Sequence, residues 1–209
     1  MTDNVLDFKQ GANLLLQQFP ETELLAGQNR SYGIEAMVSK KKGDWTGWLT
    51  YTFARSLNKI DDPVYSDRRI NNGDWFRANY DRPHTFNLFA NLNYNKFHNF
   101  SFTFTLSTGR PFSRPTGIFA FQNQNYPIYP ERNNDRLPTY HRLDFSWNIL
   151  TTLKENKRWK NYWTFSIYNI YGRGNPYSIF FNNNKGALNS FTLEIFSSPI
   201  PSLTYNGRF

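Results

Sequence analysis

The chain has 209 residues, a formal net charge of +8 and 19% aromatic residues, yet a mean hydropathy of −0.68. It contains no cysteine, which excludes a disulfide framework and a cysteine-ligated zinc site. No run of about 18 apolar residues occurs, so no transmembrane helix is expected, and the apolar mass is carried by Phe, Tyr and Trp, which favour strands.

The first segment, "MTDNVLDFKQGANLLLQQ", lacks the basic region followed by an apolar stretch that marks a secretory leader. No strand is assigned near Val5–Gln17, because "DFKQGANLLLQQ" alternates badly. Glu21–Ala26 is the one short helix candidate.

From there the dominant period is two, the spacing of a two-faced strand. In "SYGIEAMV" the set Tyr32, Ile34, Ala36 and Val38 opposes Glu35 and Ser39 just beyond. In "DWTGWLTYTF" the set Trp45, Leu49, Tyr51 and Phe53 opposes Thr46, Thr50 and Thr52. "TFNLFANLNY" over 85–94 places Phe86, Leu88, Ala90, Leu92 and Tyr94 opposite Asn87, Asn91 and Asn93. "FSFTFTLS" over 100–107 alternates throughout, Phe100, Phe102, Phe104 and Leu106 against Ser101, Thr103, Thr105 and Ser107. "RLDFSWNI" sets Leu143, Phe145, Trp147 and Ile149 against Arg142, Asp144, Ser146 and Asn148, and "YWTFSI" sets Trp163, Phe165 and Ile167 against Thr164 and Ser166. A last strand over 189–209 holds phase from Phe191 to Phe209, interrupted by Pro199 and Pro201. The total is about seven strands.

The connections alternate in length. Residues 40–44, 95–99 and 153–160 are tight and mostly basic, whereas 59–80, 110–137 and 173–188 are long and rich in Asn, Pro, Gly, Asp and Arg. Outer-membrane barrels have this asymmetry of short periplasmic turns and long external loops. A soluble sandwich also alternates apolar with polar residues. Three features favour the bilayer. The strands match the roughly 9–11 residues needed to cross with tilt. Tyr32, Trp45, Tyr94, Trp147 and Trp163 sit near strand ends, where interfacial aromatic belts lie. The opposite face carries hydroxyls and amides, which suit a wet lumen.

Six segments in order carry a resemblance: "LLAGQNRSYGIEAMVSKKKGDWTGWLTYTFARS", "NYDRPHTFNLFANLNY", "STGRPFSRPTG", "LPTYHRLDFSWN", "YNIYGRGNPYSI" and "PSLTYNGRF". The chain resembles the C-terminal barrel portion of a TonB-dependent outer-membrane receptor of the Bacteroidetes type. The resemblance implies an all-β fold, an up-and-down antiparallel transmembrane β-barrel segment that is part of a larger barrel of about 22 strands with a plugged lumen. Residues 1–26 would be an external loop or partial strand, and 27–209 the C-terminal strands, with the plug domain upstream. The implied function is energy-coupled uptake of a nutrient ligand across the outer membrane. The implied partners are the lipid bilayer, the barrel-assembly machinery, the TonB complex through the plug region, and a surface lipoprotein. An odd number of strands would not close alone as a bacterial barrel of the usual even type. With the C-terminus periplasmic, the three long loops fall outside. In the family a terminal alternating strand ending in an aromatic residue is an assembly signal, and Leu203, Tyr205 and Phe209 match that pattern.

Catalytic signals are poor, and no enzyme and no cofactor is expected. His84, His98 and His141 match no metal-ligand spacing, and a pairing of His141 with Asp144 is the one conceivable ligand couple. "GRGNP" lacks the ending of a phosphate loop, and no GxSxG elbow occurs. Nucleic acid is not an expected partner. Lys40, Lys41, Lys42, Lys154, Lys157, Arg158 and Lys160 lie in turns, away from the aromatic stripes that a stacking groove would need beside them. Ligand contacts are expected in loops 59–80, 110–137 and 173–188, which mix charge with Tyr and Trp. The alternatives are a small outer-membrane β-barrel with a structural or adhesive role and a soluble glycan-binding β-domain.

Overall fold

The computed structural model describes residues 2–9, 19–121, 124–151, 160–184 and 187–208. The chain is all-β and antiparallel. Its main sheet contains β1 (Thr2–Phe8), β2 (Leu24–Lys40) and β3 (Trp45–Lys59), with the short β4 (Phe76–Arg77) added to β3. It continues through β5 (His84–Asn93) and β6 (His98–Ser107). The long connection after β6 contains β7 (Pro111–Phe112), β8 (Gly117–Phe121), β9 (Gln124–Ile128) and β10 (Asp135–Arg136). The sheet resumes with β11 (Tyr140–Leu150) and β12 (Lys160–Tyr168). After them come β13 (Pro176–Asn184), β14 (Ala187–Glu194) and β15 (Ile200–Arg208). The order across the sheet is β1-β2-β3-β5-β6-β11-β12-β15.

Cross-strand register converts the period-two pattern into two continuous faces. Val38 stands opposite Leu49, Leu49 opposite Leu88, Leu88 opposite Phe104, and Phe104 opposite Leu143. Farther along, Phe145 meets Ile167, Ile149 meets Trp163, and Trp163 meets Tyr205. Side chains on neighbouring strands that share a face pack as pairs; Phe102 and Phe145 have ring centroids 5.2 Å apart, and Trp163 and Tyr205 4.9 Å. Among the described residues the apolar face has no covering layer: Ile34 is 75% exposed, Val38 70% and Leu203 66%.

The buried side chains lie instead around the long-loop end. Leu25, Ile60, Ile70 and Phe76 form one cluster where residues 60–76 fold back over the start of β2 and the end of β3. Short turns follow β2 and β5, whereas β1, β3, β6 and β12 end at the opposite end of the sheet. The connection over 110–137 is an excursion closed at its base by β7 pairing with β10 and tipped by the β8–β9 hairpin.

Three expectations change. An eighth long strand exists, because β1 pairs with the start of β2 from Thr2↔Asn29 to Phe8↔Leu24. The helix candidate is a single 3-10 turn, Pro20–Glu23, and Leu24 already belongs to β2. The expected strand over 189–209 is two strands: β14 turns back on β13, and only β15 joins β12. Phe196, in the left-handed region at φ 55°, and Pro199 separate them. Pro201 is tolerated opposite Ile167 because β15 is the sheet edge, where a missing backbone donor breaks no inner ladder. As expected of a segment, the sheet is open: among the described residues β1 and β15 do not pair, and no closed barrel is formed.

Gly109 tests the base of the 110–137 excursion. A Cβ there would stand 1.7 Å from the Leu137 carbonyl oxygen. Gly109→Ala is expected to cost about 3 kcal/mol, read as a thermal midpoint lowered by roughly 6–12 °C. An unchanged midpoint would refute this packing.

Candidate functional site

The long-loop end is held by a buried carboxylate. Asp81, with a fully buried side chain, follows the β4 segment. Its Oδ1 accepts from the Ser56 backbone N–H at 2.7 Å and from Arg55 Nε at 3.3 Å, and its Oδ2 pairs with Arg136. Arg136 also donates to the Asp81 carbonyl at 2.6 Å and to the Gly109 carbonyl at 3.1 Å. One aspartate therefore joins β3, the 59–80 loop and the 110–137 loop. A carboxylate away from water needs this many donors.

Asparagines extend the tie. Asn133, in the left-handed region at φ 54°, donates through Nδ2 to the Arg77 carbonyl at 2.6 Å and to Asn79 Oδ1 at 2.8 Å. Asn71 and Arg132 exchange two bonds, Asn71 Nδ2 to the Arg132 carbonyl at 3.0 Å and the Arg132 N–H to Asn71 Oδ1 at 2.7 Å. Arg132 also reaches Asp7 at 2.6 Å, which fastens β1 to the same layer. At the loop surface, backbone N–H groups of Tyr65 and Val64 hold the Asp62 carboxyl below its ordinary pKa, and a hydrogen bond from Lys9 does the same for Asp67.

Several concavities lie on the polar face of the sheet. Towards the short turns, Asn93, Asn99, Asn148, Thr164, Thr204 and Asn206 help line a cavity of about 660 Å³. Its side chains bond along the ladder, with Thr164 Oγ1 donating to Asn148 Oδ1 at 2.7 Å and Asn99 Nδ2 to Asn93 Oδ1 at 2.6 Å. At the loop end a second cavity, of about 550 Å³, lies among Arg82, Arg110, Tyr140, Tyr168 and Tyr177. Beside it Arg142 pairs with Asp144 at 2.9 Å and donates to the hydroxyls of Tyr140 and Tyr168 at 2.8 and 2.7 Å. Met37, Trp48 and Phe89 depart from the pattern and fall on this mainly polar face, as Leu150, Tyr162 and Ile200 do near strand ends, with Trp48 and Phe89 stacking at 6.3 Å.

The residues singled out from sequence are distributed as follows. Leu203 and Tyr205 lie on β15, opposite Phe165 and Trp163 on the apolar face; Phe209 lies outside the described residues, as do Lys154, Lys157 and Arg158. Of the expected ligand loops, 59–80 and 110–137 are bound together through Asp81, Asn71 and Asn133. The 173–188 segment is mostly β13, tied to 110–137 by the Phe112–Phe181 ring pair at 6.1 Å. His141 and Asp144 do not form a couple: His141 Nδ1 is 2.8 Å from the Tyr171 hydroxyl, and Asp144 is taken by Arg142. His84 meets the Tyr51 hydroxyl at 2.8 Å, and His98 accepts from Trp147 Nε1 at 3.1 Å. No group of three metal-ligating side chains converges among the described residues.

Asp81 and Asn133 were not foreseen as structural keys. The Tyr140, Arg142 and Asp144 series was legible, since alternate residues of a strand share a face.

Comparison with protein-family models, curated proteins and solved structures found no match to this chain.

Asp81→Asn removes the charge at nearly constant shape and leaves Arg55 and Arg136 without their counter-ion. The expected loss is about 3 kcal/mol, with faster trypsin cleavage within 110–137. A loop no more sensitive than that of the wild type would contradict the tie.

Proposed function

We propose that the chain supplies the C-terminal strands of a TonB-dependent outer-membrane receptor, a transporter that takes up a nutrient ligand by energy-coupled passage. In this reading it is a segment of a transmembrane barrel of about 22 strands. Its apolar face meets lipid, its hydroxyl and amide face lines the lumen, and its long loops lie outside the cell. The bilayer, the barrel-assembly machinery, the TonB complex through a plug region, and a surface lipoprotein are its partners.

One observation carries the reading. The apolar face runs unbroken across the sheet yet stays exposed, while the opposite face is polar and concave. Soluble monomers rarely expose contiguous apolar patches beyond a few hundred Å². A barrel wall inverts the usual arrangement, apolar outside and polar within. The family assignment itself rests on the sequence resemblance.

The second reading, a small self-contained outer-membrane barrel, is favoured by β1, which brings the long strands of the sheet to an even number. The separation of β1 from β15 weighs against it.

The absence of native cysteine permits a direct test in the membrane-borne protein. Single cysteines at 101, 103 and 105 should react with a charged maleimide, and those at 100, 102 and 104 should be protected unless the bilayer is dissolved. Equal labelling of both sets would end the membrane reading. Under the receptor reading the intact protein also carries a plug and needs the energising complex for uptake; a membrane form that closes from this chain alone would favour the small barrel instead. Deleting Phe209 should lower outer-membrane abundance several-fold while leaving ligand affinity per molecule unchanged; unaltered abundance would remove its role as an assembly signal.

A further inference from the structure

The loop-end cavity has a one-sided chemistry. Among the described residues that line it, none is acidic, whereas Arg82 and Arg110 both contribute. Arg82 is exposed and makes no hydrogen bond or ion pair with any described residue. Arg110 is held by one N–H donated to the Tyr177 carbonyl at 2.8 Å, with its guanidinium 5.5 Å from the Tyr177 ring centre. Its other N–H groups remain for a ligand.

The tyrosines add directed donors. The hydroxyl oxygens of Tyr140 and Tyr168 each accept from Arg142. A phenol that accepts still has its own proton to donate. Even where one of the two donates to the other, one O–H is left over, and both residues line the cavity. The wall thus offers two guanidinium groups and a phenolic donor polarised by a third cation. Among the described residues, the carboxylate that meets this cluster, Asp144, is bound by Arg142.

The rest of the lining mixes the hydroxyls and amide of Thr85, Thr105, Ser107, Thr108 and Asn175 with flat apolar faces. Tyr177, Pro138, Pro176 and Phe196 supply ring and pyrrolidine faces. At about 550 Å³ the cavity is in the range of small-molecule sites.

We propose that this cavity binds a ring-bearing organic carboxylate, the carboxylate held by Arg82 and Arg110 and the ring laid against Tyr177 and the prolines. Guanidinium groups grip carboxylates with paired, charge-assisted hydrogen bonds. As the ligand class of the receptor this rests on the function proposed above; the binding itself does not, and it is measured separately.

The test is isothermal titration of the purified full-length protein with digalacturonate and with its neutral dimethyl ester, which keeps the rings and removes the charge. The acid is expected to bind at least tenfold more tightly than the ester, and less tightly as salt rises. Arg82→Gln should weaken the acid at least tenfold and leave the ester unchanged. Arg114→Gln is the control, since Arg114 pairs with Asp135 and does not line the cavity. Equal affinity for acid and ester, no binding of the acid, or an Arg82→Gln protein that binds it like the wild type would each overturn the proposal. None of those results would alter the cysteine labelling pattern, so the two readings fail independently.

Discussion

The structure depends on register. In an antiparallel sheet a slip of one residue moves every side chain to the other face. Here β2 and β3 stay in step from Gln28↔Lys59 to Lys40↔Gly47, and β6 and β11 from Ser107↔Tyr140 to His98↔Ile149. A single slip between any two strands would put Phe and Leu against Asn and Thr. The one irregularity within the described main sheet falls in β1, between Asp3 and Val5, away from the aromatic stripes.

That register leaves the sheet without a dry interior. One face is apolar and uncovered, and the other is too polar to bury. The chain's own core is correspondingly small and displaced into the loop layer, where Ile60 and Ile70 are almost fully enclosed. Such a layer buries much backbone that belongs to no sheet, and each of those groups needs a partner. Asparagine is suited to the task, since its amide both donates and accepts. Asn133 and Asn169 satisfy neighbouring carbonyls while themselves adopting the left-handed region. The Asn-rich loops are therefore tied to one another through their own side chains at this end of the molecule.

Alternation made the inner strands readable, because period two survives as long as both faces keep their character. It could not reveal β1, where only Leu6 and Phe8 share an apolar phase. It also misread the end of the chain. Phe191, Leu193 and Ile195 are in phase with Leu203 and Tyr205, but phase carries no information about which strand is the partner. The change of partner is set by backbone geometry at Phe196 and by Pro199. The Asp81 tie was illegible for another reason: its partners Arg55 and Arg136 are 26 and 55 residues away, and no local pattern joins them. The loop-end cavity was half legible. Tyr140, Arg142 and Asp144 follow strand spacing, whereas Arg82, Arg110 and Tyr177 come together only through the fold.

Among the described residues, two features of the sheet would be liabilities for a monomer in water, the uncovered apolar face and the unpaired edges of β1 and β15. Edges invite pairing with other strands, and an apolar face of this kind invites association. Each has separate remedies in soluble proteins: a helix laid over the face, or charges and bulges along the edge. The described residues include no α-helix to lay over the face. The edge strand β15 bears Leu203 and Tyr205 on the exposed face, and Pro201 blunts its ladder. A bilayer and a closing neighbour remove both liabilities together, since lipid covers the face and continued strand pairing consumes the edges. The same closure would turn the polar trough into a lumen wall, with the arginine-lined cavity towards its loop end.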